Sequence, residues 1–303
     1  MSKKLIVRLK GGLGNQLFCY AAARRLAWAN QAELVIDNLT GFQYDHQYQR
    51  KYALDAFKIS ARIATPKERM EPLGRIRRYF ARKIANYQPL NKQRYIHQVG
   101  IKFDPDILSL NLQEGSTYFD AFGQSELYFS DIYDLIKQDL GMAAPCDQNI
   151  LDLLKKIEKT ESVAIHIRWF NPNDVGHKAN ISLVYYANAI SFVKKIIANP
   201  HFFIFSDYPD LAEIKLSPLL QKRSYSVVKH SVATEKSLTD FYIMRQCRHF
   251  IISNSTFAWW AAWLGEKSNP MSHIIAPGQT LDPNSNVTAW GFPKLIPERW
   301  IKL

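Results

Sequence analysis

Cysteine is scarce. The three in 303 residues, Cys19, Cys146 and Cys247, each stand alone in an apolar or helical pattern, so neither a disulfide framework nor a zinc site is expected. Long apolar runs are missing too: none approaches the roughly 20 residues a membrane-spanning helix requires. Leu5 to Leu9, broken by Arg8, is too short for the apolar region of a secretion signal. A reducing, cytoplasmic setting is the expectation. Acidic residues are in deficit, 27 against 39 lysines and arginines, a formal charge of +12. A charge of that sign invites a nucleic-acid reading. No zinc-finger spacing, RNA-binding sheet signature or leucine zipper accompanies it, so no nucleic-acid partner is expected.

What is present is a globular chain, 47% hydrophobic, long enough for two cores. Much of the basic excess lies between Lys67 and Arg94, where Arg75, Arg77, Arg78, Arg82 and Lys83 interleave with Ile76, Tyr79, Phe80, Ile84 and Tyr87 at a helical period. Such a helix is a candidate for peripheral contact with the inner face of an anionic membrane. The preferred expectation is that its apolar stripe packs on its own domain.

The first forty residues read as strand, glycine turn, helix and strand. Leu5 to Leu9 alternates, Lys10 to Gln16 carries Gly11, Gly12 and Gly14, and Phe18, Ala22, Leu26 and Ala29 recur at helical spacing. This opens an α/β domain. The turn lacks the Lys-Ser/Thr of a P-loop and has Leu17 where a dinucleotide fingerprint needs a third small residue. Its glycines let backbone amides and a helix N-terminus approach a phosphate; an unliganded tight turn explains them equally well. Gly12, Gly14, Asn15 and Gln16 are its candidate binding residues. Met142 to Asn149, with Pro145, is the best linker, dividing the chain into domains 1–145 and 146–303.

The second half alternates strand and helix, implying a parallel sheet covered on both faces. Ligands bind beyond the carboxyl ends of such strands. Here those ends carry His166 and Arg168, then Ser206 and Asp207, then Ser253, Asn254, Ser255 and Thr256. Arginine cannot shed its charge, and its planar fork suits a phosphate or a carboxylate. One Ser or Thr suffices for a helix N-cap. Four polar residues beside an arginine-bearing strand end favour a phosphate ligand. Asp207 and Asp240 are placed to accept hydrogen bonds from a purine edge or a ribose, although Asp240 equally suits a helix cap.

Taken together, Gly11-Gly-Leu-Gly-Asn-Gln-Leu-Phe18, Gln124-Ser-Glu-Leu-Tyr-Phe129, His166-Ile-Arg168, Phe203-Ile-Phe-Ser-Asp207 and Ser253-Asn-Ser-Thr-Phe-Ala-Trp-Trp260 resemble the bacterial α-1,2-fucosyltransferases of glycosyltransferase family 11. The resemblance covers nearly the whole chain, to Ile274-Ile-Ala-Pro277. It implies a GT-B fold, two Rossmann-like domains facing a central cleft, and inverting transfer from GDP-fucose to a galactose-ended oligosaccharide or lipid-linked glycan, without a metal or other cofactor. It places Arg168 on the β-phosphate and His166 near the nucleotide. Asp207 and Asp240 are implied at guanine or ribose, and Ser255 and Thr256 at phosphate.

Departures from the family pattern are informative. The family continues His-x-Arg with Arg-Gly-Asp-Tyr, where this chain has Trp169-Phe170-Asn171-Pro172. Asn171 cannot act as a base, and Asp174 is the nearest substitute. Ala121-Phe122-Gly123 replaces a usual Gly-Tyr-Trp, removing an aromatic that would touch sugar. These changes admit an altered choice of acceptor, a different GDP-linked 6-deoxysugar, or a GDP-sugar-binding protein without turnover. By residue type alone, Glu126, Asp174 and His46 are the candidates for a general base.

Overall fold

The computed structural model describes residues 2–46, 48–98, 100–168, 180–220, 224–229, 236–269, 271–278 and 290–303. Contacts divide the chain into two units: Met1–Met142 with Pro293–Leu295, and Ala143–Phe292 with Ile296–Leu303. The division falls inside the expected linker. A tail segment expected in the second domain belongs with the first, where the carbonyl of Lys294 accepts the Ser125 hydroxyl at 2.7 Å.

The first unit runs β1 (Lys3–Arg8), α1 (Leu13–Ala29), β2 (Glu33–Asp37), β3 (Arg62–Ile63), α2 (Gly74–Ala85), β4 (Tyr95–His97), β5 (Gly115–Asp120) and α3 (Tyr133–Asp139). Its sheet has the order β3-β2-β1-β5-β4, with parallel pairings throughout. α1 is buried almost all round, from Gln16 to Ala23. Three consecutive alanines let it lie close on its neighbours, which a strictly amphipathic surface helix would not need.

The second unit runs α4 (Gln148–Glu158), β6 (Glu161–Ile167), α5 (Leu183–Ile196), β7 (Pro200–Ser206), α6 (Pro209–Leu216), β8 (Tyr225–Val227), α7 (Lys236–Met244), β9 (His249–Ile251), α8 (Thr256–Ser268), β10 (Ile274–Ala276) and β11 (Ile301–Lys302). Its strands are ordered β11-β10-β9-β6-β7-β8 and are again parallel. On β6, Val163, Ile165 and Ile167 share one face with a core built on α5 and α6, including Tyr186, Ile190 and Leu216. By the two-residue period of a strand, Ala164, His166 and Arg168 take the opposite face. There the His166 ring meets Phe257 of α8, centroids 5.6 Å apart.

The basic helix corrects one expectation. α2 turns Gly74, Arg78, Ala81 and Ala85 inward and leaves its large apolar side chains exposed. Arg78 is held by the carbonyl of Arg69 at 2.8 Å. Small residues and one anchored arginine seat this helix, so its apolar stripe is not the packing face.

Candidate active site

In the second unit, chain order runs outward from β6 in both directions: β7 and β8 on one side, β9, β10 and β11 on the other. The sheet therefore has a topological switch point between β6 and β9, where open parallel sheets bind ligands. His166, Arg168 and the segment from Ser253 to Thr256 stand there. Nδ1 of His166 and Oγ of Ser253 are 2.8 Å apart, and the His166 carbonyl accepts the Tyr186 hydroxyl at 3.3 Å. The hydroxyl of Tyr185 donates to the carbonyls of Ile252 and Ile275, at 2.8 and 3.0 Å, and so fixes the residue before Ser253.

Burial, aided by the neighbouring Arg168 charge, pushes the His166 imidazole down to about 3. It is neutral at any physiological pH and contributes a hydrogen-bonding ring, while the positive charge comes from Arg168. Ser253, Asn254 and Ser255 are all buried. Ser255 occupies the N-cap position of α8, yet its side chain makes no capping bond. Its buried Oγ has no hydrogen-bond partner among the described residues. The capping explanation for this polar cluster therefore fails at the residue that would do the capping. The first turn of α8 also contains no acidic residue, so nothing within it competes with an anion for the positive end of the helix dipole.

The rest of the motif holds that helix end in place. Trp259, Trp260 and Trp263 are fully buried, and Trp259 lies against Trp263 and Trp300 with ring centroids 6.1 and 5.4 Å away. These rings are core. Further along α8, a Cβ on Gly265 would lie 2.4 Å from the Phe250 ring and 2.8 Å from the Arg245 carbonyl. Glycine lets α8 rest directly on β9 and the end of α7.

Asp207 follows β7 directly and is exposed, whereas Ser206 before it is buried and accepts the Tyr208 amide at 3.1 Å. Asp240 is the fifth residue of α7, which begins at Lys236, so its helix-capping alternative is excluded. Asn171 and Asp174 lie outside the described residues.

The glycine turn belongs to the first unit, at its own switch point between β1 and β5. Gly11 has φ +76 and a Cβ there would meet the Asn15 amide nitrogen at 2.6 Å, so the turn requires glycine. Gly12 occupies the N-cap position of α1, with no side-chain capping bond, and Gly14 is buried in the first turn. Asn15 Oδ1 accepts the Gln124 amide at 2.9 Å. Gln16 is committed internally: Nε2 donates to the carbonyls of Gly11 and Lys51 at 3.0 and 2.9 Å, and Oε1 accepts the Ala53 amide at 3.0 Å. It clasps the turn, with both amide protons spent. Glu126 is buried in a short 3-10 turn, Glu126–Tyr128, and His46 is exposed.

Sequence reasoning missed a polar network beside that turn. Buried Asp120 accepts from Lys10 Nζ at 2.7 Å, Tyr95 Oη at 2.9 Å and Arg8 Nη1 at 3.2 Å. Burial alone would raise its carboxyl; Lys10 and Arg8 outweigh that and hold it at about 2. Buried Asp37 accepts from the Tyr118 hydroxyl and from Thr40 Oγ1, the latter at 2.5 Å. The available signal was an aspartate closing each of two apolar strands. The Asp-x-Asp spacing at Asp104 and Asp106 is a local cap, with Asp104 Oδ1 accepting the Asp106 amide at 3.0 Å.

A family model for glycosyl transferase family 11 matches residues 4–277. The chain belongs to glycosyltransferase family 11. Among curated proteins this family-11 chain is similar to the O-antigen biosynthesis glycosyltransferase WbnK of Escherichia coli, 28% identical over 315 residues, covering 97% of this chain and 99% of the relative. It is also similar to an α-1,2-colitosyltransferase of Escherichia coli, 25% identical over 319 residues, covering 99% and 98%. Among solved structures, the fucosyltransferase NodZ from Bradyrhizobium aligns with TM-score 0.51 at 17% identity, over 86% of this chain and 92% of that one. Arabidopsis thaliana FUT1 in complex with GDP aligns with TM-score 0.52 at 14% identity, over 98% and 75%. Those likenesses and the two parallel-sheet units give the family-11 enzyme the GT-B fold. It is a glycosyltransferase.

Proposed function

We propose that the protein is an inverting galactoside α-1,2-fucosyltransferase, moving L-fucose from GDP-fucose to a galactose-ended glycan in lipopolysaccharide or oligosaccharide synthesis. The observation that carries this reading is the uncapped, buried Ser255 hydroxyl at the start of α8, beside the His166–Ser253 pair and Arg168. A diphosphate leaving group gains negative charge as its bond to the sugar breaks. Donors fixed in advance around its β-phosphate stabilise that charge without reorganising. The Arg168 guanidinium, the Ser255 and Thr256 hydroxyls and the first amides of α8 are the donors assigned to it. Asp207, exposed at the adjacent strand end, is assigned to guanine or ribose, and Asp240 of α7 to the same end of the nucleotide.

His166 is neutral at neutral pH, with one ring nitrogen protonated, and is too weak a base, at about 3, to take a further proton from an acceptor hydroxyl. Its role is to orient Ser253. The base is therefore sought among Glu126, Asp174 and His46, or the proton leaves through the phosphate itself.

A second reading is favoured by two observations together: Asn171 stands where the family pattern has an acid, and one relative is named a colitosyltransferase. In that reading the donor is another GDP-linked 6-deoxysugar. The deciding experiment incubates the protein with GDP-fucose and with GDP-colitose, each with lactose and with type-1 and type-3 disaccharides, in EDTA. Fucosylated product resistant to EDTA supports the first reading, and product only from GDP-colitose supports the second. Thermal stabilisation by GDP without product from any pair indicates a binding protein; stabilisation by UDP-sugars and not GDP overturns all three.

A further inference from the structure

The first unit carries an exposed surface that catalysis does not explain. On α2 and its flanks, Leu73, Ile76, Phe80, Ile84 and Tyr87 recur at intervals of three and four residues and so form one stripe along the helix. Their exposures are 66, 52, 57, 60 and 89%. Isolated exposed apolar side chains are ordinary, whereas five in a contiguous row mark an interaction surface. Arg77 lies on one side of the stripe; Arg75, Arg82 and Lys83 lie round the other. None of these four forms a salt bridge with a described residue. Arg75 and Lys83 instead rest over the rings of Tyr44 and Tyr79, at 5.0 and 5.4 Å.

Beside the contact that Ala81 and Ala85 make with Ile6, Tyr95 and Tyr118 of the sheet, a cavity of about 630 Å³ lined by Ile6, Met70, Ala81, Ile84, Tyr95 and Tyr118 leaves the helix only partly supported. α2 is thus seated through few residues and presents its better apolar face outward. This inversion needs a partner that is apolar and anionic at once.

We propose that α2 docks the first unit on an anionic lipid surface, lying in the plane of the membrane with Ile76, Phe80, Ile84 and Tyr87 in the acyl boundary and its cations among the headgroups. A strongly amphipathic, basic helix of low overall hydrophobicity is the form that interfacial binding takes. A second copy of the chain would bring like-charged helices together, and a nucleic acid would leave the apolar stripe in water. Lipid meets both requirements. The proposal is independent of which sugar donor is used.

The test is co-sedimentation of the full chain with vesicles of phosphatidylcholine alone and of phosphatidylcholine mixed with phosphatidylglycerol. Binding to the mixed vesicles, weakened by salt and absent from the neutral ones, is expected. Phe80→Glu/Ile84→Glu abolishes it, and each of Arg75→Gln, Arg77→Gln, Arg82→Gln and Lys83→Gln lowers the partition coefficient about fivefold. A Phe80→Trp variant shows a blue-shifted emission on adding mixed vesicles. Unchanged melting temperatures establish that the variants fold, and Tyr87→Glu, beyond the helix end, provides a milder variant if the double change does not. Failure of the wild type to bind mixed vesicles overturns the proposal. So does undiminished binding of the folded glutamate variants, or a concentration-dependent dimer that they abolish.

Discussion

His166 and Ser253, 87 positions apart in sequence, meet at 2.8 Å across the switch point of the second sheet. β6 and β9 are neighbours there although two strands separate them in the chain, so the pair exists only when the whole unit is folded. Beside it stands the Ser255 hydroxyl, at a cap position where it caps nothing.

Ser255→Ala separates binding from stability. An ordinary N-cap lost to alanine costs about 1 kcal/mol, which would lower the melting temperature by roughly 2–4 °C in a protein of this size. Because Ser255 makes no capping bond, the melting temperature of the variant should stay inside that range's lower edge. GDP affinity, measured by calorimetry, should fall roughly tenfold for one hydrogen bond to a charged oxygen. A drop in melting temperature with unchanged GDP affinity would restore the capping role.

Arg168→Ala removes the cation that follows β6 at this edge of the sheet. Charge-assisted bonds of a bidentate guanidinium are worth about 1.5–3 kcal/mol, so GDP should bind on the order of a hundredfold more weakly. Arg168→Lys should recover only part of the loss, because an ammonium lacks the planar fork. Full recovery by lysine would reduce the interaction to one of charge alone.

Histidine gives the protein an acid-sensitive interior. Unfolded imidazoles take up a proton near 6.5. In the fold, burial and Arg168 lower His166 to about 3, and burial and then Lys156 lower His201 to about 4. Between those values the unfolded chain binds more protons, so stability rises with pH there. The contribution is fully present above about 6.5 and is lost as pH falls toward the folded values. Urea midpoints should drop steadily from pH 7 to pH 5, less so in His201→Gln. In labelled protein the His166 ring signals should not titrate between pH 8 and pH 5; a midpoint near 6.5 would place that ring in solvent.

The candidate site was legible wherever chemistry and strand period coincide. His166 and Arg168 were visible as a buried strand ending in polar residues, and Ser253 to Thr256 as more hydroxyls than a cap requires. What the sequence hid was context. The stripe of α2 has the same period whether it faces a core or the outside, and only Arg78, Ala81 and Ala85 taking the inner face decides between them. Gln16, read as a ligand-binding amide, clasps its own turn, because the 51–53 segment that accepts and donates to it is unmarked in the sequence. Asp240 sits inside α7 and not at its start, since Leu238 is the only apolar residue among Lys236 to Thr239 and one such residue does not announce a helical turn.

Asp120 ties together the first unit's switch point, and its replacement should cost stability. The carboxylate receives Lys10, Arg8 and Tyr95, and only the two cations retain some access to water. Asp120→Asn keeps the shape and removes the charge, leaving two partly buried cations without their counter-ion. Breaking a fully buried pair costs about 3–5 kcal/mol; with the cations partly solvated, about 2–3 kcal/mol is expected, seen as a lower urea midpoint at constant slope. In Lys10→Met/Asp120→Asn the orphaned ammonium is gone, so the double variant should be more stable than the sum of the single changes by about 1 kcal/mol or more. Strict additivity would mean that Lys10 and Asp120 do not interact in solution, and the network would then rest on Arg8 and Tyr95 alone.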